Sequence, residues 1–247
     1  MCVRLSIVIP IYNERDRWRE LLGRVRAVDL PGLSRQYVLV DDGSTDGTRE
    51  QLQDLAGEVA GQDGRLAGDA CLVIFHDRNM GKGAALRTGF AAADGDIVIV
   101  QDADLEYDPR DYPKLTGPIL DGRAEAVYGT RFRRGRRPKG CPLGTHLANR
   151  FLTLLTNLAT GLKLTDMETC YKVFRRDVLG RLVLVQPRFG FEPEITCELA
   201  RAGVVPHEVP IGYTARGRAG GKKITWRDGL AAVWCILACA VSRLTPR

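Results

Sequence analysis

Short apolar runs alternate with longer stretches of mixed polarity through the first half of the chain. Leu5–Pro10, Tyr37–Val40, Cys71–Phe75 and Asp96–Val100 are rich in apolar and β-branched residues, as buried strands are. Between and after them, Glu14–Val28, a segment capped by Asp46 and running to Leu55, Gly83–Ala93 and Tyr112–Leu120 read as helices, the last limited by Pro113 and Pro118. Strands alternating with helices predict an α/β fold, a mainly parallel central sheet with helices on both faces. Residues 57–68, small and charged, read as an exposed excursion without a function. Beyond Tyr128 comes a basic, Gly/Pro-rich loop over 131–144, then an apolar helix from Leu147 to Leu162. Phe151, Leu154, Leu155, Leu158 and Leu162 follow helical spacing there, with Thr153, Thr156 and Asn157 between them. Such a face suits a core, its commoner use, or a membrane surface. Leu230–Leu244 is almost wholly apolar but shorter than the ~20 residues a spanning helix needs. The expected organisation is one main domain over 1–228 and an apolar C-terminal helix over 229–247, for membrane docking or dimerisation.

Composition narrows the class. The chain has 247 residues, 45% of them hydrophobic, enough for a sizeable core. Its formal charge of +6 is concentrated in Arg131–Lys139 and Arg216–Lys223, strips that could meet phosphates. They contain glycines and few aromatics and carry no nucleic-acid signature, so no nucleic-acid partner is expected. The seven cysteines form no Cys-x-x-Cys pair, which predicts reduced thiols in a cytoplasmic protein. With the first strand beginning close to Met1, no secretory leader is expected.

In open α/β sheets the ligand crevice lies at the carboxyl ends of the strands. Those ends read Pro10-Ile-Tyr12-Asn13-Glu14, Asp41-Asp42-Gly43-Ser44-Thr45-Asp46-Gly47 and Gln101-Asp102-Ala103-Asp104-Leu105-Glu106. Carboxylates gathered at adjacent strand ends repel unless a cation or donor groups join them. On a continuing strand Asp102 and Asp104 would point the same way and could share a hard cation, Mg²⁺ or Mn²⁺, with Glu106 as a further ligand. An isolated Asp-x-Asp is more often a solvated, capped turn; the apolar strand before this one favours a site. Asn79-Met80-Gly81-Lys82-Gly83 lacks both the spacing of a Walker loop and the third glycine of a dinucleotide fingerprint.

Taken together, Pro10-x-Tyr12-Asn13-Glu14, Asp41–Thr48, Asn79-x-Gly81-Lys82-Gly83-x-Ala85-Leu86-Arg87-x-Gly89 and Asp102-Ala103-Asp104 resemble family 2 glycosyltransferases. Gly129–Phe132, Asp166-x-Glu168-Thr169-Cys170-Tyr171-Lys172 and Phe189–Glu192 follow in the order of the dolichyl- or polyprenyl-phosphate sugar synthases. The resemblance implies a nucleotide-diphospho-sugar transferase (GT-A) fold, with Pro10, Tyr12, Glu14 and Asp41 lining the nucleoside pocket, Asp42 nearby, and Lys82 among the donor contacts. It implies Asp102, Asp104 and Glu106 as metal ligands and Arg131 at the acceptor phosphate. Arg216, Lys222 and Lys223 would belong to a segment closing over the diphosphate, with Asp104, Arg131 and Lys222 as catalytic groups. A lipid monophosphate, with its second pKa of ~6, is already largely anionic at neutral pH, so direct displacement with inversion needs no strong base. A hydroxyl acceptor would need one, for which Asp166 or Glu168 are candidates. Mannose from GDP-mannose is the favoured donor, with UDP-glucose or UDP-N-acetylglucosamine as alternatives; a non-catalytic nucleotide-sugar-binding subunit is the alternative of another class. The expected setting is peripheral, on the cytoplasmic membrane face, with a homodimer or a membrane-spanning partner possible.

Overall fold

The computed structural model describes residues 3–132, 137–138, 140–215 and 226–243. Arg133, Arg134, Arg136, Lys139, Arg216, Lys222 and Lys223 lie outside the described residues.

The first apolar run is β1 (Val3–Ile11), followed by α1 (Trp18–Arg26), β2 (Leu33–Asp41) and α2 (Thr48–Ala60). Then come β3 (Arg65–Leu66), β4 (Asp69–Phe75), α3 (Lys82–Ala92), β5 (Ile97–Val100) and α4 (Tyr112–Leu120). The second half supplies β6 (Ala126–Thr130), α5 (Leu143–Thr160), β7 (Lys172–Arg175), the single turn α6 (Arg176–Leu179), α7 (Phe191–Arg201), β8 (His207–Pro210) and α8 (Trp226–Arg243). The strands form one sheet in the order β3-β4-β2-β1-β5-β7-β6-β8. β4, β2, β1 and β5 run parallel, β7 lies antiparallel between β5 and β6, and β8 is parallel to β6. β5 is buried at every position, because helices cover both faces and a strand there needs no polar alternation.

The expected fold class is therefore the observed one, with differences at the margins. The stretch 57–68 is exposed as expected, except at Val59 and Leu66, but it is regularly structured: α2 continues to Ala60, and β3 pairs antiparallel with the start of β4. β7 and β8 are too short to announce themselves by periodicity. The apolar helix begins earlier than expected, at Leu143, and is turned inside out. His146, Asn149, Thr153, Thr156 and Thr160 are its buried residues, while Leu143, Leu147, Phe151, Leu154 and Leu158 are 54–73% exposed. Of the expected stripe, Phe151, Leu154 and Leu158 face outward, Leu155 is partly buried, and Leu162, just past the helix, joins the core. α8 packs against α5 and α7, burying Ala232, Cys235, Ile236 and Cys239 and exposing Leu230, Trp234 and Leu237. No helix among the described residues is long and apolar enough to cross a membrane. Cys197 on α7 and Cys239 on α8 form a disulfide, their Cα atoms 6.1 Å apart. This corrects the expectation of seven reduced thiols: 42 residues separate the pair in sequence, and only the packing of α8 onto α7 brings them together.

Candidate active site

The carboxyl ends of β1, β2, β5 and β6 and the start of antiparallel β7 share one edge of the sheet. The strand order reverses between β1 and β5, the position where open sheets leave a crevice.

On the β1–β2 side the loops are zipped together. Asn13, at φ +52°, accepts from the Thr45 amide (2.8 Å) and donates its own amide to Ser44 Oγ (3.0 Å). The Glu14 amide donates to Thr48 Oγ1 (3.0 Å), and Glu14 pairs with Arg17 at 3.0 Å. The structure places Pro10, Tyr12, Glu14 and Asp41 at the carboxyl ends of the adjacent strands β1 and β2 and in the loop after β1, with Tyr12 partly exposed and Pro10, Glu14 and Asp41 buried. Asp41 accepts from the Ser44 amide and from Arg49 Nη1, each at 3.2 Å. Arg49 also donates to the His76 carbonyl (2.8 Å); nothing in the sequence singled it out.

Asp42 and the Gly81-Lys82-Gly83 segment explain each other. The buried Asp42 carboxylate accepts from the amides of Met80 (2.9 Å) and Gly81 (2.8 Å) and from Asn79 Nδ2 (3.0 Å), with His76 Nδ1 at 2.8 Å. Its role is to clamp the entry of α3 to the end of β2. The Ala84 amide donates to the Pro187 carbonyl (3.0 Å), and a Cβ on Gly83 would lie 2.2 Å from the Gln186 carbonyl oxygen. The glycines therefore admit residues 186–188 against the helix start, and the amides of Met80, Gly81 and Ala84 are already engaged. Asp42→Ala is expected to cost about 3 kcal/mol, because several buried donors lose a charged acceptor at once; urea unfolding measures it.

β5 ends at Val100, and Leu105 adopts φ +63°, so Asp102 and Asp104 lie in a turn and not on a continuing strand. Buried Gln101 anchors that turn: its Oε1 accepts from the hydroxyls of Tyr112 and Tyr171, each at 2.8 Å, and its Nε2 donates to the Asp102 carbonyl (2.9 Å). The Asp102 amide donates to Cys170 Sγ (3.2 Å). Asp102 holds the Lys82 ammonium at 2.9–3.0 Å, and Lys82 reaches Glu192 Oε1 at 3.1 Å. Burial alone would raise the Asp102 carboxyl, yet the Lys82 charge and hydrogen bond hold it below its ordinary value. The same burial works against the Lys82 ammonium, which Asp102 and then Glu192 push well above the usual lysine range.

Asp104 Oδ1 accepts from the Glu106 amide (3.1 Å), and Glu106 Oε2 accepts from the Tyr213 hydroxyl (2.9 Å). Among the described residues no three His, Cys, Asp or Glu side chains converge as a metal-binding group. Of the expected ligands Asp102, Asp104 and Glu106, Glu106 is directed toward the Tyr213 hydroxyl. The two aspartates still suit a small hard cation, because Mg²⁺ is commonly held by one or two carboxylates with substrate phosphates completing its shell. The attraction of Asp102 for a positive charge is visible in its grip on Lys82.

At the end of β6, Arg131 forms a fork with the fully buried Asp166: Nε to Oδ2 at 2.8 Å and Nη2 to Oδ1 at 2.7 Å, with the Arg131 amide also donating to Oδ2 (2.9 Å). Asn149 Nδ2 on α5 reaches Asp166 Oδ1 at 3.3 Å, and Thr153 Oγ1, which accepts from the Met167 amide (3.2 Å), donates to Asn149 Oδ1 (3.2 Å). The polar side of α5 is therefore built into the arginine site. Engaged in this way, Asp166 is no available base. Glu168 lies between the two poles; burial and then neighbouring Glu192 raise its carboxyl to about 7. Beneath it, buried Lys172 donates to the carbonyls of Met167 (2.9 Å) and Thr169 and sits 4.6 Å from the Tyr128 ring centroid. Burial lowers its ammonium to about 8.

This fold and strand-end site define the GT-A class of nucleotide-diphospho-sugar transferases. The sequence matches the family described as glycosyl transferase family 2 over residues 6–183, and the chain belongs to that family. It is 32% identical over 220 residues to an undecaprenyl-phosphate 4-deoxy-4-formamido-L-arabinose transferase of Aeromonas hydrophila, covering 88% of this chain and 62% of the relative. With the protein of the same description from Proteus mirabilis it shares 28% over 238 residues, 96% of this chain and 67% of the relative. The chain thus spans 62–67% of the length of these relatives. A solved structure of similar fold is glucosyl-3-phosphoglycerate synthase from Mycobacterium tuberculosis with UDP, at TM-score 0.70 and 21% identity, covering 97% of this chain and 80% of that one. The same enzyme with Mn²⁺, UDP and glucosyl-3-phosphoglycerate aligns at TM-score 0.68 and 19% identity over 97% of this chain and 80% of that one.

Proposed function

We propose that the chain transfers a sugar, with inversion and with a divalent metal, from a nucleoside diphosphate to a polyprenyl phosphate at a membrane surface. The observation that carries this is the construction of α5: its polar side holds the Arg131–Asp166 fork through Asn149, and its opposite side is a bare apolar face. One helix diameter, ~10 Å, separates a phosphate-binding arginine from a surface suited to lipid, which is what a lipid-linked anion requires. α8 extends that face with Leu230, Trp234 and Leu237.

In this reading the β1–β2 loops hold the nucleoside, and Asp102 and Asp104 would hold Mg²⁺ or Mn²⁺, which supplies Lewis acidity to the departing diphosphate. Lys82 adds positive charge at the same pole. Arg131 positions the acceptor phosphate, whose oxygen is already anionic, so the reaction needs no proton removed. Mannose from GDP-mannose is the donor the sequence resemblance favours, whereas the relatives' descriptions point to a 4-deoxy-4-formamido-L-arabinose. The test is a panel of labelled GDP-mannose, UDP-glucose, UDP-N-acetylglucosamine and nucleotide-activated 4-deoxy-4-formamido-L-arabinose with undecaprenyl or dolichyl phosphate, with and without a chelator. Label is expected in the organic phase only when metal is present. Label confined to water-soluble products rejects the lipid acceptor.

The membrane surface has its own test. Replacing both Leu147 and Phe151 by Glu should lower co-sedimentation with anionic phospholipid vesicles at least about tenfold, since each large apolar side chain buried contributes about 1.5–3 kcal/mol. Both side chains are exposed, so folding should be retained.

A further inference from the structure

Three buried side-chain oxygens near the site, Glu192 Oε2, Glu168 Oε1 and the hydroxyl Thr169 Oγ1, have no hydrogen-bond partner among the described residues. Glu192 is only 4% exposed, and its other oxygen is fixed by Lys82, which in turn holds Asp102. Glu168 follows Asp166, the partner of Arg131, by two residues. Glu168 is close enough to both Glu192 and Arg131 for their charges to act on its carboxyl, so the two glutamates bridge the Lys82–Asp102 pair and the arginine. Lys172 does not satisfy the unpaired oxygens, its ammonium being directed at the carbonyls of Met167 and Thr169. Buried polar atoms are almost always paired, and unpaired buried oxygens beside a strand-end site mark a place where a ligand can bring the donors.

We infer that Glu168 and Glu192 read the transferred glycosyl residue, accepting hydrogen bonds from its hydroxyl or amide N–H groups while it lies between Asp102 and Arg131. This rests on the reading that the donor is a nucleotide sugar. A sugar ring presents several donors at fixed spacing, which matches acceptors held on rigid elements, and a site built to accept such donors rejects a ring lacking them. Glu168 touches none of the residues assigned to the nucleoside or diphosphate, whereas Glu192 also holds Lys82, so the effect on the sugar is read as a difference from the effect on the nucleoside diphosphate.

The test compares the dissociation constant of the nucleotide sugar selected by the panel with that of its free nucleoside diphosphate, by calorimetry in the presence of Mn²⁺. The proteins are the wild-type chain, Glu192→Gln and Glu168→Gln. Each substitution keeps the side-chain shape but replaces one acceptor oxygen by a donor. In Glu168→Gln nucleotide-sugar binding should weaken at least about tenfold while nucleoside diphosphate binding stays within twofold; in Glu192→Gln, whose other oxygen holds Lys82, the nucleotide sugar should lose at least about tenfold more affinity than the nucleoside diphosphate does. Equal weakening of both ligands, or no weakening of the sugar, overturns the inference. Unchanged sugar binding with a fall in kcat and a displaced pH profile also overturns it and makes the residue a base. If the wild-type chain binds the sugar but labels no lipid, the acceptor reading falls and this one stands; if it binds no nucleotide sugar, both fall.

Discussion

Asp104→Ala is expected to reduce metal-dependent sugar transfer by at least about 10³-fold, because a metal ion supplies several kcal/mol of transition-state charge stabilisation. The side chain is partly exposed at the turn after β5 and accepts from the Glu106 amide, so its removal should cost stability only about 1 kcal/mol. The measurement is the initial rate over a range of Mn²⁺ concentrations, with urea unfolding as the control for folding. Unchanged turnover in a folded variant removes Asp104 from the metal site. Glu106→Gln should have a much smaller effect, since its carboxylate is directed at the Tyr213 hydroxyl.

Arg131→Met should abolish transfer and also lower stability by about 3–5 kcal/mol, because Asp166 is left as a buried charge without its fork. The double variant Arg131→Met with Asp166→Leu separates the two effects. Replacing both members of a buried pair by apolar groups is often neutral, so the double variant should regain part of the lost stability while transfer stays absent. Recovery of transfer in the double variant would remove Arg131 from the acceptor site and leave it a purely structural residue. Denaturant unfolding and lipid-extraction assays on the same preparations give both readings.

Much of the site was legible in the chain. Acids at the ends of apolar strands, Asp41, Asp102 and Asp104 among them, must share one sheet edge once the strands run parallel. Arg131 and Asp166 were both noticed, but their pairing was not, since β6 and β7 meet through a connection of some forty residues. Asp42 drew attention as a binding residue, yet its oxygens are taken by donors about 34–39 positions away. Glycines 81 and 83 had the look of a phosphate loop that failed its pattern; their actual reason is the carbonyls of Gln186 and Pro187, a hundred residues on.

From the chain alone come the alternation of elements, the parallel sheet and the identity of the acids at its edge, because strand and helix periodicities and local turn chemistry are encoded within a few residues. The tertiary structure alone decides which lone pairs remain open to a ligand. It also decides that Leu143, Leu147, Leu154 and Leu158 of α5 face outward and that Cys197 meets Cys239. Those outcomes depend on donors and surfaces brought from distant segments, and a side chain's availability is set by its neighbours in space, which no local pattern carries.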